Sequence, residues 1–185
     1  MRVLLLAAAA LALFAACGGG GEKPAGTTAH GAAGFALQAS LGGETIAARL
    51  TCDGDDVSPA LTWKGAPDRT KELALVLEDP DAPGGTFTHW LIYGLSPGTT
   101  SLPEGLPDQA KLEQPIPLRQ GKNDFGEIGY QGPCPPNGQT HRYVFRLLAL
   151  DRELGLEPTA DRGAFESAIE GHVIAEASVA SSYGR

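Results

Sequence analysis

Apolar residues fall in short blocks separated by proline- and glycine-rich segments. Leu73-Ala-Leu-Val-Leu77 is continuous, the pattern of a strand buried on both faces. His89-Trp-Leu-Ile-Tyr93 and Tyr143-Val-Phe-Arg-Leu-Leu-Ala-Leu150 predict two more strands. Phe35-Ala-Leu37-Gln-Ala39 alternates as an edge strand does, and Ala175–Tyr183 alternates small and polar residues, predicting a last strand. Between them, Asp79-Pro-Asp-Ala-Pro-Gly-Gly85, Ser96-Pro-Gly98 and Gly132-Pro-Cys-Pro-Pro-Asn-Gly138 read as turns and rigid loops. One segment has helical spacing. Phe165, Ala168 and Ile169 fall at i, i+3 and i+4, Thr159 or Asp161 can cap it, and Gly171 stands near its end. The pattern predicts a mainly β domain over residues 35–185, an antiparallel sandwich with one or two short helices near the C-terminal side.

Composition narrows this picture. With 25 Gly and 14 Pro in 185 residues, long helices have little room and turn-rich β structure is favoured. A hydrophobic content of 42% argues for a packed core rather than a disordered chain. A formal charge of −8 leaves no basic stripe for a nucleic acid to follow. It does not exclude a local anion site, because net charge is not local potential.

The first residues read as a targeting segment. Met1-Arg2 is a minimal positive start, and Val3–Phe14 is an apolar run too short to span a bilayer but suited to a signal peptide. Ala15-Ala16-Cys17 then places small residues before a cysteine. This resembles a bacterial lipoprotein signal, with residues 1–16 removed and Cys17 carrying the lipid. An ordinary secretory signal is the alternative. Residues 17–34 lack apolar periodicity and read as a flexible tether. The expected location is therefore outside the cytoplasm, on a membrane, facing the periplasm or the cell surface.

Three loops beside apolar strands gather polar residues. Asp79-Pro80-Asp81-Ala82-Pro83 sets two carboxylates on a proline-stiffened loop. Taken alone, a solvated β-turn is its ordinary reading. His89-Trp90 opens a strand; a lone histidine there more often satisfies itself on a backbone carbonyl. The segment Gly129–Tyr143 joins a rigid proline loop, whose Gly132 could leave its N–H open to an anion, to His141 and Tyr143 on one strand face. Arg142 points to the other face and is expected to find an ion pair elsewhere.

In this order, Ser58-Pro-Ala-Leu-Thr-Trp63, Asp79-Pro-Asp-Ala-Pro83, His89-Trp90, Gly129-Tyr-Gln-Gly-Pro-Cys-Pro-Pro136 with His141-Arg-Tyr143, and Gly171-His-Val-Ile-Ala-Glu176 resemble the phosphatidylethanolamine-binding proteins. The bacterial Raf-kinase-inhibitor-like branch, the YbhB/YbcL type, is the most similar. The resemblance implies two packed antiparallel sheets and a small pocket for a phosphoryl-type anion or lipid headgroup. By motif, that pocket comprises Asp79, Asp81, His89, Gly132, Pro133, Pro135, His141 and Tyr143. It implies a binding module without cofactor. A protein-interaction inhibitor of a kinase or protease is the alternative, and a hydrolase is a more distant one. Cys134 is the only nucleophile candidate in these loops. A metal would call on Asp79, Asp81, His89 and His141, whose spacing matches no compact ligand motif.

Cys52 and Cys134 remain once Cys17 is assigned to the lipid. In an exported chain they are expected to form a disulfide holding the Gly132 loop in shape. Two separate buried thiols are the alternative.

Overall fold

A computed structural model describes residues 34–185. The expectations for the signal peptide, for Cys17 and for the tether up to residue 33 lie outside the described residues. Among the described residues, nine strands and one α-helix follow in order: β1 (Ala36–Ala39), β2 (Leu61–Lys64), β3 (Glu72–Asp79), β4 (Phe87–Leu95), β5 (Ser101–Leu102), β6 (Lys111–Leu112), β7 (Leu118–Gln120), β8 (Thr140–Leu150), α1 (Arg162–Ile169) and β9 (Val173–Gly184). Strands β1, β2 and β5 form a small sheet, and β6-β7-β4-β3-β8-β9 form a large one. Every pairing within them is antiparallel. The fold is the mainly β, two-sheet arrangement expected from the sequence.

The continuous apolar run of β3 has a direct explanation. Leu73, Leu75 and Leu77 face the small sheet, against Phe35, Leu37, Leu61 and Trp63. Ala74 and Val76 point the opposite way, into a second cluster with Leu91, Tyr93, Leu148 and Phe165 of α1. Successive side chains alternate between faces, so a strand covered by a sheet on one side and a helix on the other must be apolar at both parities. Each fully buried Leu contributes on the order of 2 kcal/mol.

Helix α1 begins where Asp161 accepts a hydrogen bond from the Ala164 N–H at 2.9 Å. Asp161 is thus the cap, and Thr159 occupies the preceding turn with φ of 74°. The five predicted strands are present. Strand β2 and the short β5, β6 and β7 escaped the pattern because runs of two to four residues are too short for periodicity to discriminate.

Cys52 and Cys134 are bonded, with Cα atoms 5.5 Å apart and 82 positions between them in sequence. The bridge joins the loop after the Ala48–Leu50 turn to the proline loop before β8. The same loops are held by the Cys52 N–H on the Pro133 carbonyl at 3.2 Å and by the Tyr130 hydroxyl on the Leu50 carbonyl at 2.6 Å. A closed loop of this length stabilises by about 4 kcal/mol in the chain-entropy model. Denaturant unfolding with and without reductant should therefore separate the midpoints clearly. Thiol counting on the unfolded, unreduced domain should find neither Cys52 nor Cys134 free.

Candidate functional site

The ends of β3, β4 and β8 meet the proline loop around a pocket of about 190 Å³. Asp79 ends β3, His89 lies in β4, and His141 lies near the start of β8. Strand parity alone would not bring His89 to this side together with Trp90. The register supplies the missing step: Leu77 pairs with Trp90 but Glu78 pairs with Thr88, so His89 is the extra residue of a bulge. A bulge re-aims a side chain and strengthens local twist. His89 thereby stacks edge-on against Tyr143, with ring centroids 5.3 Å apart.

The polar floor is tightly ordered. His141 Nδ1 donates to Asp79 Oδ2 at 2.7 Å, and both residues are buried. Asp79 Oδ1 accepts from the Asp81 N–H at 2.9 Å, which fixes the turn that follows β3. The Gln139 side-chain amide closes on His141 Nε2 at 3.1 Å. His89 Nδ1 lies 2.8 Å from the Gln131 carbonyl. A carbonyl can only accept, so Nδ1 carries the proton, and in the neutral ring Nε2 is a bare acceptor. Burial pushes the His89 imidazole below its ordinary 6.5, while the Gln131 carbonyl and the Asp79 carboxylate pull it partly back.

Tyr143 is fully buried, and its hydroxyl makes no well-formed hydrogen bond among the described residues, with the Cys134 backbone and the Asp79 carboxylate its polar neighbours. Burial, with the Asp79 carboxylate nearby, pushes that hydroxyl upward, so it stays a protonated donor. The rim is apolar: Ala82, Pro83, Phe87, Phe125, Pro135 and Pro136 surround the floor. Phe125 packs edge-on against both Phe87 and His89, yet remains 47% exposed.

Of the eight residues named from sequence, Asp79, His89, Pro135 and His141 line the pocket, with Tyr143 stacked on His89. Three are placed differently. Asp81 turns outward and takes three hydrogen bonds from Arg142, at 2.7–2.9 Å, from its backbone N–H, Nε and an Nη. Those bonds hold its carboxyl at about 2, well below the usual range. Arg142 does find an ion pair, as expected, and its partner is the carboxylate that the motif assigned to the pocket. The Gly132 N–H is not open; it donates to Asp56 Oδ1 at 2.7 Å. Glycine is required there because a Cβ would fall within 2.3 Å of the Leu50 carbonyl oxygen and 2.4 Å of the Asp56 carboxylate. Pro133 is buried and spends its carbonyl on Cys52. The loop is therefore a buttress rather than an anion nest.

Sequence reasoning missed Asp56, Gln131, Gln139, Phe87 and Phe125. Phe125 alone had a local signal, an aromatic inside the turn-forming Asn123-Asp-Phe-Gly126. Cys134 lines the pocket, but its sulfur is bonded to Cys52 and is no free nucleophile. Among the described residues, no three His, Cys, Asp or Glu side chains converge to hold a metal ion.

The profile of the phosphatidylethanolamine-binding protein family matches residues 38–184. The chain belongs to that family. A UPF0098 protein of Pyrococcus horikoshii is 50% identical over 132 residues, which cover 71% of this chain and 66% of that protein. A UPF0098 protein of Methanothermobacter thermautotrophicus is 49% identical over 140 residues, 76% of this chain and 91% of that relative. Among solved structures, YbcL of Escherichia coli, described as a member of the mammalian PEBP family, superimposes with a TM-score of 0.75 at 31% identity. It covers 83% of this chain and 99% of YbcL. A PEBP homologue of Chlamydia trachomatis gives 0.73 at 35% identity with the same coverage. The family resemblance read from five motifs is thus shown.

The packing around Gly132 makes a direct prediction. Gly132→Ala forces the Leu50 and Asp56 backbone segments apart and should destabilise the domain by about 2 kcal/mol, the usual cost of overpacking. Thermal unfolding reads the loss, and unchanged stability would show that the buttress is soft.

Proposed function

We propose that this chain is a binding module for small phosphoryl-type anions, free or as a lipid headgroup, held at a membrane by a lipid on Cys17. The observation that carries the reading is His89 in the pocket wall, whose Nε2 is left free by the Nδ1 bond to Gln131, with the buried Tyr143 hydroxyl, stacked behind it, unsatisfied. Buried polar groups are almost always paired. An oxyanion would accept from the tyrosine and from protonated His89, and could displace the exposed Gln139 amide from His141. Binding rather than catalysis is favoured because the one hydroxyl beside Asp79, that of Tyr143, is held protonated by burial, and the Cys134 sulfur is bonded. The anchor rests on the apolar run and the Ala15-Ala16-Cys17 sequence.

Titration with inorganic phosphate or phosphoethanolamine, followed by NMR, should move resonances of His89, His141, Tyr143 and the proline loop. His89→Ala or His141→Ala should weaken binding about tenfold or more, the worth of a charge-assisted hydrogen bond. Shifts that persist unchanged in both variants would refute the site.

The His89 tautomer sets the pH dependence. Nε2 can donate to an anion only when the ring is cationic, because Nδ1–H is committed to Gln131. Burial disfavours that cation, so affinity should be low at neutral pH and rise as pH falls through a value below 6.5. Asp56, Asp79, His141 and Tyr143 are the titratable groups around His89. Sulfate, which does not titrate in this range, is the suitable probe. A pH-independent affinity would contradict the assignment of Nε2 as donor.

Anchoring has a separate test. Cys17→Ser should move the protein from the membrane to the soluble fraction, and the mass of the wild-type chain should show acyl addition at a new N-terminal cysteine. Cleavage elsewhere without acylation would overturn the anchor.

A further inference from the structure

At the opposite end of the large sheet lies a cleft of about 390 Å³. The length of β3, Glu72–Asp79, separates it from the histidine pocket, about 23 Å at the usual rise per strand residue. Lys71, Leu95, Thr99, Arg119 and Glu153 are among its walls.

Arg119 is half-buried, yet among the described residues its guanidinium has no hydrogen bond and no carboxylate within ion-pair distance. The other half-buried arginines, Arg49, Arg146 and Arg162, each hold at least one carboxylate. Register adds a repulsion. Lys111 on β6 stands directly opposite Arg119 on β7, and like charges facing across a strand pair destabilise it. Glu113 forms its ion pair with Lys111 at 2.6 Å and acts on Arg119 only from beyond ion-pair distance. The backbone makes room for this cation: Gly94 has φ of +75°, and a Cβ there would lie 3.0 Å from Arg119 Nη1. Glu72, also in the wall, is occupied, since its two oxygens accept the Gly94 and Leu154 N–H groups at 2.8 and 2.9 Å. Lys71 forms no ion pair among the described residues.

We infer that this cleft is a second anion site, in which Arg119, assisted by Lys71, binds a small oxyanion, carboxylate or phosphoryl. The guanidinium fork suits either group, and the site is independent of the histidine pocket. The test is NMR titration of the domain with acetate and, separately, inorganic phosphate, with sodium chloride at matched ionic strength as control. The expected result is a saturable shift of the Arg119 Nε–H and of the Gly94 and Leu95 amides. Arg119→Gln should weaken it about tenfold or more. Unchanged His89 and His141 resonances in that variant confirm its fold, and the tighter of the two probes identifies the ligand class. Shifts that do not saturate, that chloride reproduces, or that survive in Arg119→Gln would overturn the inference.

Discussion

A carboxylate buried at the end of an apolar strand is stable only if protein groups replace its water. Asp79 obtains that from two sides, the His141 imidazole across the strand pair and the Asp81 N–H within its own turn. Other site contacts build outward from this arrangement. The first bond fixes the His141 ring, and the second shapes the loop that carries Ala82 and Pro83 to the rim. Strand β3 is central in the large sheet and covered on both faces, so Asp79 stands at the end of a fully packed strand. A pocket floor built there is preorganised, and a ligand of the proposed kind would meet lining groups that need little reordering.

The opposite wall is built from loops rather than strands. The disulfide, the Tyr130 hydroxyl and the Asp56 carboxylate each tie residues 130–134 to residues 50–56. Proline rings alone do not fix where a loop sits; these long-range ties do. Asp56 adopts a positive φ of 54° to reach the Gly132 amide. Its own carboxyl is raised by burial, with the Gly132 N–H and the nearby His89 pulling back. The wall and the histidine are thus electrostatically connected, although the elements carrying them are distant in sequence.

Much of this was legible in the chain. The core strand β3 announced itself because both of its faces are buried, and β8 showed which residues share a face: His141 and Tyr143 on one side, Arg142 on the other. The disulfide followed from the cysteine count. What escaped were facts that depend on pairing between distant segments. The bulge that turns His89 toward Tyr143 is a register shift between β3 and β4, and no local pattern encodes it. The capture of Asp81 by Arg142, and of the Gly132 amide by Asp56, are contacts across 61 and 76 positions. A motif can say that these residues occur together; only the fold says which of them face the pocket.

The central claim is that His89 presents a bare Nε2 to the pocket and gains a proton there when an anion binds. Imidazole nitrogen-15 shifts measure this directly. At neutral pH without ligand, the account predicts a protonated Nδ1 and an unprotonated Nε2 for His89, with both nitrogens protonated once phosphate saturates the pocket. A protonated Nε2 with a bare Nδ1 in the free protein, or a ring that stays neutral at saturation, would contradict it.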